Sequence, residues 1–596
     1  MMQVIATAGH VDHGKSTLIR ALTGIEPDRL AEEKQRGLTI DLGFAWTTLP
    51  SGREVSFVDV PGHERFLGNM LAGLGPAPIV CFVIAADEGW QAQSSDHRDA
   101  IAALGIDQGL IVITRADLAP DRVAQVLAEA RSELAGTGLA SAPAVGVSAV
   151  TGQGLDALRT LLDDTVGAAQ EPAIDGRVRL WVDRSFSISG AGTVVTGTLT
   201  AGTLHREDRL ALCGADRGGE VVVRGLQSRG GPLEQLGPVS RAAVNLRGVS
   251  TEEIGRGDAL LTPDAWALTQ LLDVRRSTGD PLDDAPQQLV AHIGTAAVGA
   301  RVRPLGPDHA RLTLDHPLPL QLGDHLVLRG SGSHSVRNGV QVLDLDPPGL
   351  ERRGDGARRR TVLEQMPLGG DLAGEVRRRG AVHDSRLLRF GMVLPTPLPE
   401  TVHRHGVWLV DTEALHGWTE QLARLVAEQR RADPLSAGLP GKAAIDALTL
   451  PDEAMLDVVV AAAGLIQREG RVRDAVSGQG LGAAEAGVRA LEERLARTPF
   501  GAPEAEDLSA LGLGARELAA AAAQGRLLRL PDEVILLPSA PALAMRALAA
   551  LPQPFTASEA RQALATTRRI AIPLLEHLDG RGWTRRTDPG HREIVR

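Results

Sequence analysis

The stretch from residue 9 to residue 17 contains the residue types that bind a nucleotide phosphate. It reads Gly-His-Val-Asp-His-Gly-Lys-Ser-Thr, and its glycines, lysine and serine fit the spacing G-x-x-x-x-G-K-[ST] of a phosphate-binding loop. Glycine lets backbone N–H groups curl around phosphate oxygens, and the helix that follows presents the positive end of its dipole. The lysine suits the β- and γ-phosphates, and the serine hydroxyl suits Mg²⁺. We predict nucleotide contacts from six adjacent residues: Asp12, His13, Gly14, Lys15, Ser16 and Thr17.

Two further motifs could serve hydrolysis of a γ-phosphate. Asp59-Val-Pro-Gly-His-Glu64 ends an apolar run, where Asp59 can hold Mg²⁺ through water, the Gly62 N–H can meet the γ-phosphate and His63 can orient the attacking water. Thr39, in the polar segment 36–40, can bind the metal only while γ-phosphate is present. The predicted metal ligands are Ser16, Thr39 and Asp59, and the predicted catalytic residue is His63, restrained by its apolar neighbours Val11 and Ile40.

A third motif, Thr114-Arg-Ala-Asp117, points to guanine as the base. Asp117 can accept hydrogen bonds from the guanine N1–H and amino group, which adenine does not offer. Thr114 and Arg115 stand where guanine-binding proteins usually carry Asn and Lys. Arginine can still stack on the base, but the short threonine hydroxyl is expected to support the loop less firmly and to weaken nucleotide binding. Ser148 and Ala149 are predicted to complete the pocket, so the expected nucleotide is GTP.

The elements around these motifs predict an α/β domain over residues 1–172. Strand-like and amphipathic runs alternate along it, which is typical of a mostly parallel sheet covered by helices. The strand-like runs are 54–60, 78–85, 109–114 and 144–148, and the amphipathic runs are 96–104, 121–134 and 155–166. A ligand is expected beyond the carboxyl ends of the strands, where the three motifs fall.

The amino-acid composition of the rest of the chain changes twice. Short Val/Leu/Thr-rich runs between Gly, Asp and Pro predict β-barrels over 173–350. The basic segment 351–360 is predicted to be an exposed linker, and beyond it the sequence predicts Ala/Leu-rich helices that alternate with short hairpins. The predicted fold class is therefore a multidomain protein with an α/β P-loop GTPase domain, two β-barrel domains and tandem winged-helix (α+β) modules. The predicted bounds are 1–172 for the GTP-binding domain, 173–265 and 266–350 for the barrels, and 361–412, 413–476, 483–538 and 540–596 for the winged helices.

Length and composition limit the number of domains, the cellular location and the partners that the chain can have. A chain of 596 residues is too long for one core, and no apolar run reaches the roughly 18 residues of a membrane span. The first strand begins near Gln3, so we expect no signal peptide. Cys81 and Cys213 are the only cysteines, so we expect no disulfide, which suits a reducing cytoplasm. We also expect a monomer that binds no membrane. Because the net charge is −11, nucleic-acid binding would require locally concentrated basic residues.

Taken in order, these motifs resemble the translational GTPases of the elongation factor Tu class. The Thr-x-x-Asp and Asp-Val-Pro-Gly-His-Glu forms, with the run from Val182 to Gly197, resemble its selenocysteine-specific members, the SelB family. That resemblance implies that Asp183, Arg184 and Arg241 form the selenocysteine-binding site. A selenol is ionised at neutral pH, and guanidinium groups would favour the anion over serine or cysteine. Without the resemblance, the same residues would be solvated surface pairs.

The resemblance also implies a function and partners. It predicts a GTPase elongation factor that uses GTP and Mg²⁺, binds selenocysteyl-tRNA and delivers it to the ribosome at an in-frame UGA codon marked by an mRNA hairpin, with hydrolysis stimulated by the ribosome. The last module, 540–596, is the predicted hairpin reader, because arginines pair with phosphate and stack on flipped bases. Its predicted RNA contacts lie at the start of a helix and on the following wing: Arg568, Arg569, Arg585, Arg586 and Arg592.

Other interpretations of the sequence remain open. The chain could be a general aminoacyl-tRNA carrier or an initiation-type translational GTPase, which would bind Ser-tRNA and Sec-tRNA equally. It could be a non-catalytic RNA-binding adaptor whose GTP site has decayed at Thr114 and Arg115. Because winged helices often bind DNA, a transcription regulator fused to a GTPase is a further alternative.

Overall fold

The computed structural model describes residues 2–27, 39–169, 174, 176–190, 192–215, 218–330, 332, 335–433, 436, 438–474 and 481–595. The chain divides into two compact units, Met1–Glu375 with His383–Pro399 and Val376–Val382 with Glu400–Arg596. Residues 36–38 of the predicted metal-binding segment and the predicted boundary between residues 172 and 173 lie outside the described residues. Among the described helices, none is both long and apolar enough to cross a membrane.

The first domain is a six-stranded sheet with helices on its faces. Its strands are β1 Met2–Ala8, β2 Gly43–Thr48, β3 Glu54–Asp59, β4 Ile79–Ala85, β5 Gln108–Thr114 and β6 Ala144–Gly146. Its helices are α1 Lys15–Thr23, α2 Leu67–Leu74, α3 Ala92–Ala103, α4 Val123–Glu133 and α5 Leu155–Ala168. The strand order is β2-β3-β1-β4-β5-β6, and all neighbours are parallel except β2 and β3. Every residue of β4 is buried, as expected for a strand covered on both faces.

Two β-barrels follow in the same unit. The strands of the first are β7 Arg179–Ile188, β8 Gly192–Leu199, β9 Leu204–His205, β10 Arg209–Cys213, β11 Gly218–Ser228, β12 Gly231–Leu233, β13 Gln235–Leu236, β14 Ser240–Arg247 and β15 Ala259–Leu261. The strands of the second are β16 Ala267–Gly279, β17 Gln288–Ile293, β18 Ala296–Pro304, β19 His309–Leu320, β20 His325–Arg329 and β21 Asn338–Asp344. The ring β10-β15-β7-β8-β14-β11 closes because β10 also pairs with β11, and β16-β19-β18-β17-β20-β21 is a closed barrel.

The remaining residues form helices packed against short hairpins. The helices are α6 Asp355–Gln365, α7 Leu372–Arg379, α8 Asp384–Arg389, α9 Thr412–Ala432, α10 Gly441–Leu448, α11 Met455–Ala462, α12 Glu485–Arg497, α13 Ala505–Ala510, α14 Ala515–Ala523, α15 Ala540–Leu548, α16 Ala557–Ala563 and α17 Arg568–Gly580. The strands are β22 Ala381–His383, β23 Val402–His405, β24 Trp408–Asp411, β25 Leu439–Pro440, β26 Leu465–Arg468, β27 Arg471–Asp474, β28 Leu528–Leu530, β29 Val534–Leu536, β30 Phe555–Thr556, β31 Thr584–Arg586 and β32 His591–Ile594. This architecture confirms the fold class predicted from the sequence.

The prediction of an exposed basic linker at 351–360 holds for residues 351–354, which are exposed and lie outside any helix, but it is wrong for the rest of the segment. Residues from Asp355 onward form α6, and the Arg359 side chain is only 5% exposed. Its guanidinium group pairs with Asp273 and Asp344 of the second barrel, and Arg311 pairs with Asp273 as well. Buried carboxylates require a positive partner, so the barrel holds a helix whose composition alone indicates a solvated segment.

The last two modules share one hydrophobic core. A single buried cluster includes Leu491 on α12, Val534 on β29, Phe555 on β30 and Leu574 on α17. Thr556 caps α16 with a capping box that includes Glu559, as the sequence indicates. The third module, 483–538, therefore supports the predicted reader, 540–596, through continuous packing.

Candidate functional site

The phosphate loop connects the end of β1 to the start of α1. Gly9 has a φ of +124°, and a Cβ on it would lie 2.1 Å from the carbonyl oxygen of Val83 on β4, so glycine is required there. The Lys15 ammonium group donates hydrogen bonds to the carbonyl oxygens of Gly9 and His10 over 3.0 and 2.8 Å. The loop thus closes around the cation, which lines the adjacent cavity.

Two of the predicted Mg²⁺ ligands lie side by side. Ser16 Oγ and Thr39 Oγ1 are 3.1 Å apart, and both residues line the cavity. Oxygens at adjacent corners of a Mg²⁺ octahedron lie about 3 Å apart, since each bond measures about 2.1 Å. Asp59 is fully buried at the end of β3, where its carboxylate accepts a hydrogen bond from the Thr7 hydroxyl over 2.7 Å. Ser16 and Thr39 therefore fit this ion, whereas Asp59 does not line the cavity and would reach the ion only through water.

The segment after β3 presses against the phosphate loop. A Cβ on Gly62 would lie 2.6 Å from both the Lys15 Nζ and the Val11 backbone N, so the backbone approaches the loop as closely as glycine permits. His63 is half-buried, and its Nδ1 accepts a hydrogen bond from the Arg65 N–H over 3.2 Å. The His63 imidazole is thus held by its own turn in this conformation and does not line the adjacent cavity.

The base end of the cavity is built by the loops after β5 and β6. The Thr114 hydroxyl donates a hydrogen bond to the His13 carbonyl oxygen over 2.7 Å. Arg115 pairs with Asp87 and Glu88 over 3.0 and 2.6 Å and also donates to a phosphate-loop carbonyl. Acidic residues and backbone therefore hold the Arg115 guanidinium group at the cavity wall.

One cavity of about 850 Å³ collects most of the predicted nucleotide contacts. Asp117 is exposed at its edge, beside the exposed side chains of Leu118 and Val150. Ser148 is buried, and its hydroxyl accepts the Thr151 N–H over 3.1 Å, which shapes the turn that closes the base end. The predicted residues among those lining the cavity are Asp12, Gly14, Lys15, Ser16, Thr17, Thr39, Thr114, Arg115, Asp117, Ser148 and Ala149.

Two buried histidines support the phosphate loop from behind. Burial lowers the pKa of His13 to about 3 and that of His97 well below its usual value, so both rings are neutral. Neutral His97 can accept the Gly9 N–H on Nδ1 over 3.1 Å, and the His13 Nδ1 lies 3.2 Å from the Val83 carbonyl oxygen. The His13 ring therefore points into the protein and does not line the cavity. Sequence reasoning missed His97, whose helical position carries no motif.

His10, His13 and Glu88 bring possible metal-ligand atoms within 4.8 Å of one another. The His10 Nδ1 accepts the Asp12 N–H over 3.3 Å, which places the proton of a neutral ring on Nε2. Arg115 also takes one oxygen of Glu88. The cluster thus lacks a free imidazole lone pair at His10 and already holds a cation, which disfavours a metal ion.

The first barrel places the predicted selenocysteine residues beside the first domain. The β7–β8 pairing shifts register between Val182 and Arg184, and such a bulge re-aims side chains. Asp183 accepts hydrogen bonds from the Thr196 hydroxyl over 2.6 Å and from Arg241 of β14. The structure therefore joins Asp183 directly to Arg241, while neighbouring Arg184 takes a partner from the first domain.

Two residues just after Thr39, which the sequence did not single out, contact these arginines. The Asp41 carboxylate accepts a hydrogen bond from Arg184 over 2.6 Å. The Arg241 guanidinium carbon lies 3.9 Å from the centre of the Phe44 ring, within range of a cation–π interaction. Both predicted arginines therefore meet the segment that leads out of the nucleotide cavity.

The predicted RNA-binding arginines differ in their surroundings. Arg568 is exposed at the first position of α17, one turn before exposed Ile572. Arg569 pairs with Glu504 over 3.0 Å, and Arg585 pairs with Glu593 over 2.5 Å. These side chains are all accessible to a ligand.

The other two predicted arginines belong to the wing. Arg586 is exposed and lies 3.2 Å from Glu576. Arg592 is buried, and its guanidinium group donates to Asp579 over 2.9 Å. Because its charge is already neutralised inside the wing, Arg592 fixes the hairpin to α17.

A phosphate-loop domain with this cavity, followed by two barrels, defines a translational GTPase of the elongation factor Tu class. Residues 1–168 match the family described as the elongation factor Tu GTP binding domain, and residues 192–261 match elongation factor Tu domain 2. Residues 269–349 match the beta-barrel domain of the selenocysteine-specific elongation factor, and residues 546–592 match the winged helix of elongation factor SelB.

Within this class, the chain is similar to curated proteins that are selenocysteine-specific elongation factors. A selenocysteine-specific elongation factor of Desulfomicrobium baculatum is 32% identical over 466 residues, which cover 74% of this chain and 73% of that protein. The one of Escherichia coli K12 is 40% identical over 353 residues, but the match covers only 56% of that protein. A crystal structure of a bacterial selenocysteine-specific elongation factor, EF-Sec, has the same fold, with a TM-score of 0.76 and 24% identity over all of both chains. The chain belongs to the family of selenocysteine-specific elongation factors, as its motifs predicted.

Proposed function

We propose that the chain binds GTP and Mg²⁺ in the cavity of the first domain and carries selenocysteyl-tRNA while GTP is bound. It then delivers this tRNA to the ribosome in the cytoplasm, as a monomer, at an in-frame UGA codon. The observation that carries the proposal is the pair of arginines on the first barrel. Asp183 holds Arg241 in place, and Arg184 stands next to it. Guanidinium groups stabilise an anionic selenolate far more than a neutral hydroxyl.

The residues of the cavity suit both ligands. Ser16 and Thr39, with Asp59, would hold Mg²⁺, which neutralises phosphate charge when it is bound. Lys15 adds a fixed positive charge at the phosphate end, and Asp117 accepts from the guanine edge. His63 orients the attacking water once the ribosome has turned its ring away from the Arg65 N–H.

The C-terminal module supplies the link to the message. Arg568 and Arg569 at the start of α17, and Arg585 and Arg586 on the wing, contact the hairpin, since their side chains are exposed. Arg592 acts indirectly, by fixing the wing to α17 through Asp579. Ile572 lies on the same face as Arg568 and can pack against an unstacked base.

The test compares one tRNA charged with selenocysteine, serine or cysteine. The full chain is titrated with each form in the presence of a non-hydrolysable GTP analogue or GDP. We expect tight binding of the selenocysteyl form with the analogue only. Equal affinity for the seryl and selenocysteyl forms would favour a general aminoacyl-tRNA carrier instead, and failure to bind GTP would favour a non-catalytic adaptor.

A further inference from the structure

Residues 39–44 physically connect the nucleotide cavity to the barrel arginines. Thr39 Oγ1 lies 3.1 Å from Ser16 Oγ in the cavity. Two residues later Asp41 bonds to Arg184, and Phe44 lies under the Arg241 guanidinium group. Two residues of extended chain span about 7 Å at most, so a displacement of Thr39 out of the cavity by more than this must also move Asp41.

A second contact ties the middle of this segment to the barrel. The Asn69 side-chain amide on α2 donates to the Ile40 carbonyl oxygen over 2.8 Å, and its oxygen accepts from Arg256 over 2.7 Å. The segment is thus anchored on the cavity, on α2 and on the barrel at the same time. These contacts require one defined conformation of residues 39–44.

The two barrel arginines depend on this segment to different degrees. The Arg241 side chain is 12% exposed and is held from within the barrel by Asp183. The Arg184 side chain is 37% exposed, and its carboxylate partner Asp41 lies on the other domain. Movement of the segment therefore changes the surroundings of Arg184 more than those of Arg241.

We propose that Asp41 is a positioning residue that couples the nucleotide to cargo binding. The proposal rests on the selenocysteyl-tRNA function above. While Thr39 is held beside Ser16, Asp41 engages one nitrogen of Arg184 and restrains the position of the guanidinium group. A guanidinium group has five N–H donors, so the others remain for a selenolate. When Thr39 leaves the cavity, Asp41 leaves with it, Arg184 loses its orientation and the affinity for cargo falls.

The experiment measures how strongly nucleotide and cargo affect each other in the full chain. Dissociation constants of selenocysteyl-tRNA and seryl-tRNA are determined with a GTP analogue and with GDP, for the wild type, Asp41→Asn and Asp41→Glu. Asp41→Asn is expected to weaken selenocysteyl-tRNA about tenfold in the GTP form only, without changing seryl-tRNA or GTP binding in the absence of tRNA. Asp41→Glu should restore part of the loss, because it returns a carboxylate. Unchanged GTP binding shows that the variants are folded.

Glu54→Gln is the matched control. It removes the Glu54–Arg229 ion pair, which also joins the first domain to the first barrel but lies outside residues 39–44. Glu54→Gln should therefore keep the wild-type ratio between the selenocysteyl-tRNA affinities measured with the GTP analogue and with GDP. The role of Asp41 would be overturned if Asp41→Asn kept that ratio, bound selenocysteyl-tRNA more tightly, or lost seryl-tRNA affinity to the same extent. Failure of the wild type itself to prefer selenocysteyl-tRNA would instead refute the proposed function.

Discussion

The Thr114 hydroxyl donates a hydrogen bond to the carbonyl oxygen of His13 over 2.7 Å, which ties the base-binding loop to the phosphate loop. The sequence predicts that the short threonine hydroxyl supports this loop less firmly than the usual asparagine and weakens nucleotide binding. The structure shows that the support exists, because the two loops approach closely at the ends of β1 and β5.

Thr114→Val should therefore weaken GTP and GDP binding alike, by about five- to tenfold, since one hydrogen bond contributes about 1 kcal/mol. Titration with fluorescent nucleotide measures this. Thr137→Val is the matched control, because the Thr137 hydroxyl also donates to a carbonyl oxygen, that of Leu134, and does not line the nucleotide cavity. Unchanged affinity in Thr114→Val would show that the bond does not support the site.

His63→Ala should keep GTP binding and lose ribosome-stimulated hydrolysis. The side chain is held by the Arg65 N–H and does not line the cavity, so its removal leaves the binding contacts intact. Removing a group that positions the nucleophile costs about 10²-fold or more in rate. Single-turnover hydrolysis with and without ribosomes separates the two effects, and normal stimulated turnover would contradict the role.

Arg568→Ala should weaken binding of the mRNA hairpin and reduce its salt dependence by about one released counterion. The probe is an RNA hairpin from downstream of the in-frame UGA of a selenoprotein message, with the DNA hairpin of the same sequence for comparison. Arg529→Ala is the control, since Arg529 is an exposed arginine on the hairpin of the preceding module. Equal losses in both variants would indicate non-specific attraction, and preference for DNA would favour a transcription regulator.

Arg359→Ala should destabilise the second barrel by about 3–5 kcal/mol, because it removes a buried cation that pairs with both Asp344 and Asp273, of which Asp273 keeps Arg311. The neighbouring Arg358→Ala should change stability by less than about 0.5 kcal/mol, since that side chain is 68% exposed. Denaturant unfolding of the full chain, followed by tryptophan fluorescence, compares the pair. Similar midpoints would contradict a buried ionic anchor.

The stability of the protein should fall as the pH decreases below about 6.5. Burial lowers the pKa of His13 to about 3 and that of His292 to about 4, whereas an unfolded histidine titrates near 6.5. Below that pH the unfolded chain binds more protons, so acid favours unfolding. His292 alone should cost about 2 kcal/mol between pH 7 and pH 5. Melting temperatures across this range test the trend, which His292→Gln should flatten.

Several parts of the protein were predictable because local chemistry dictates them. Positions such as Gly9 and Lys15 accept one residue type each, and apolar alternation reports burial directly, so the phosphate loop, the parallel sheet and the barrels follow from the sequence. The cap at Thr556 and its Glu559 partner were likewise readable, because both partners lie within one helical turn.

The sequence by itself determined which chemical groups are available, their order along the chain and the family to which it belongs. Only the tertiary structure decided their partners: His97 behind Gly9, Arg359 between two barrel carboxylates, and Asp41 on Arg184. Except for Asp344 and Arg359, which are 15 residues apart, these partners are more than 80 residues apart in the chain, and no local periodicity links any of the pairs. Their pairing is set by the approach of separate domains and elements, which brings a charge or a lone pair out of water and requires a complement at that place.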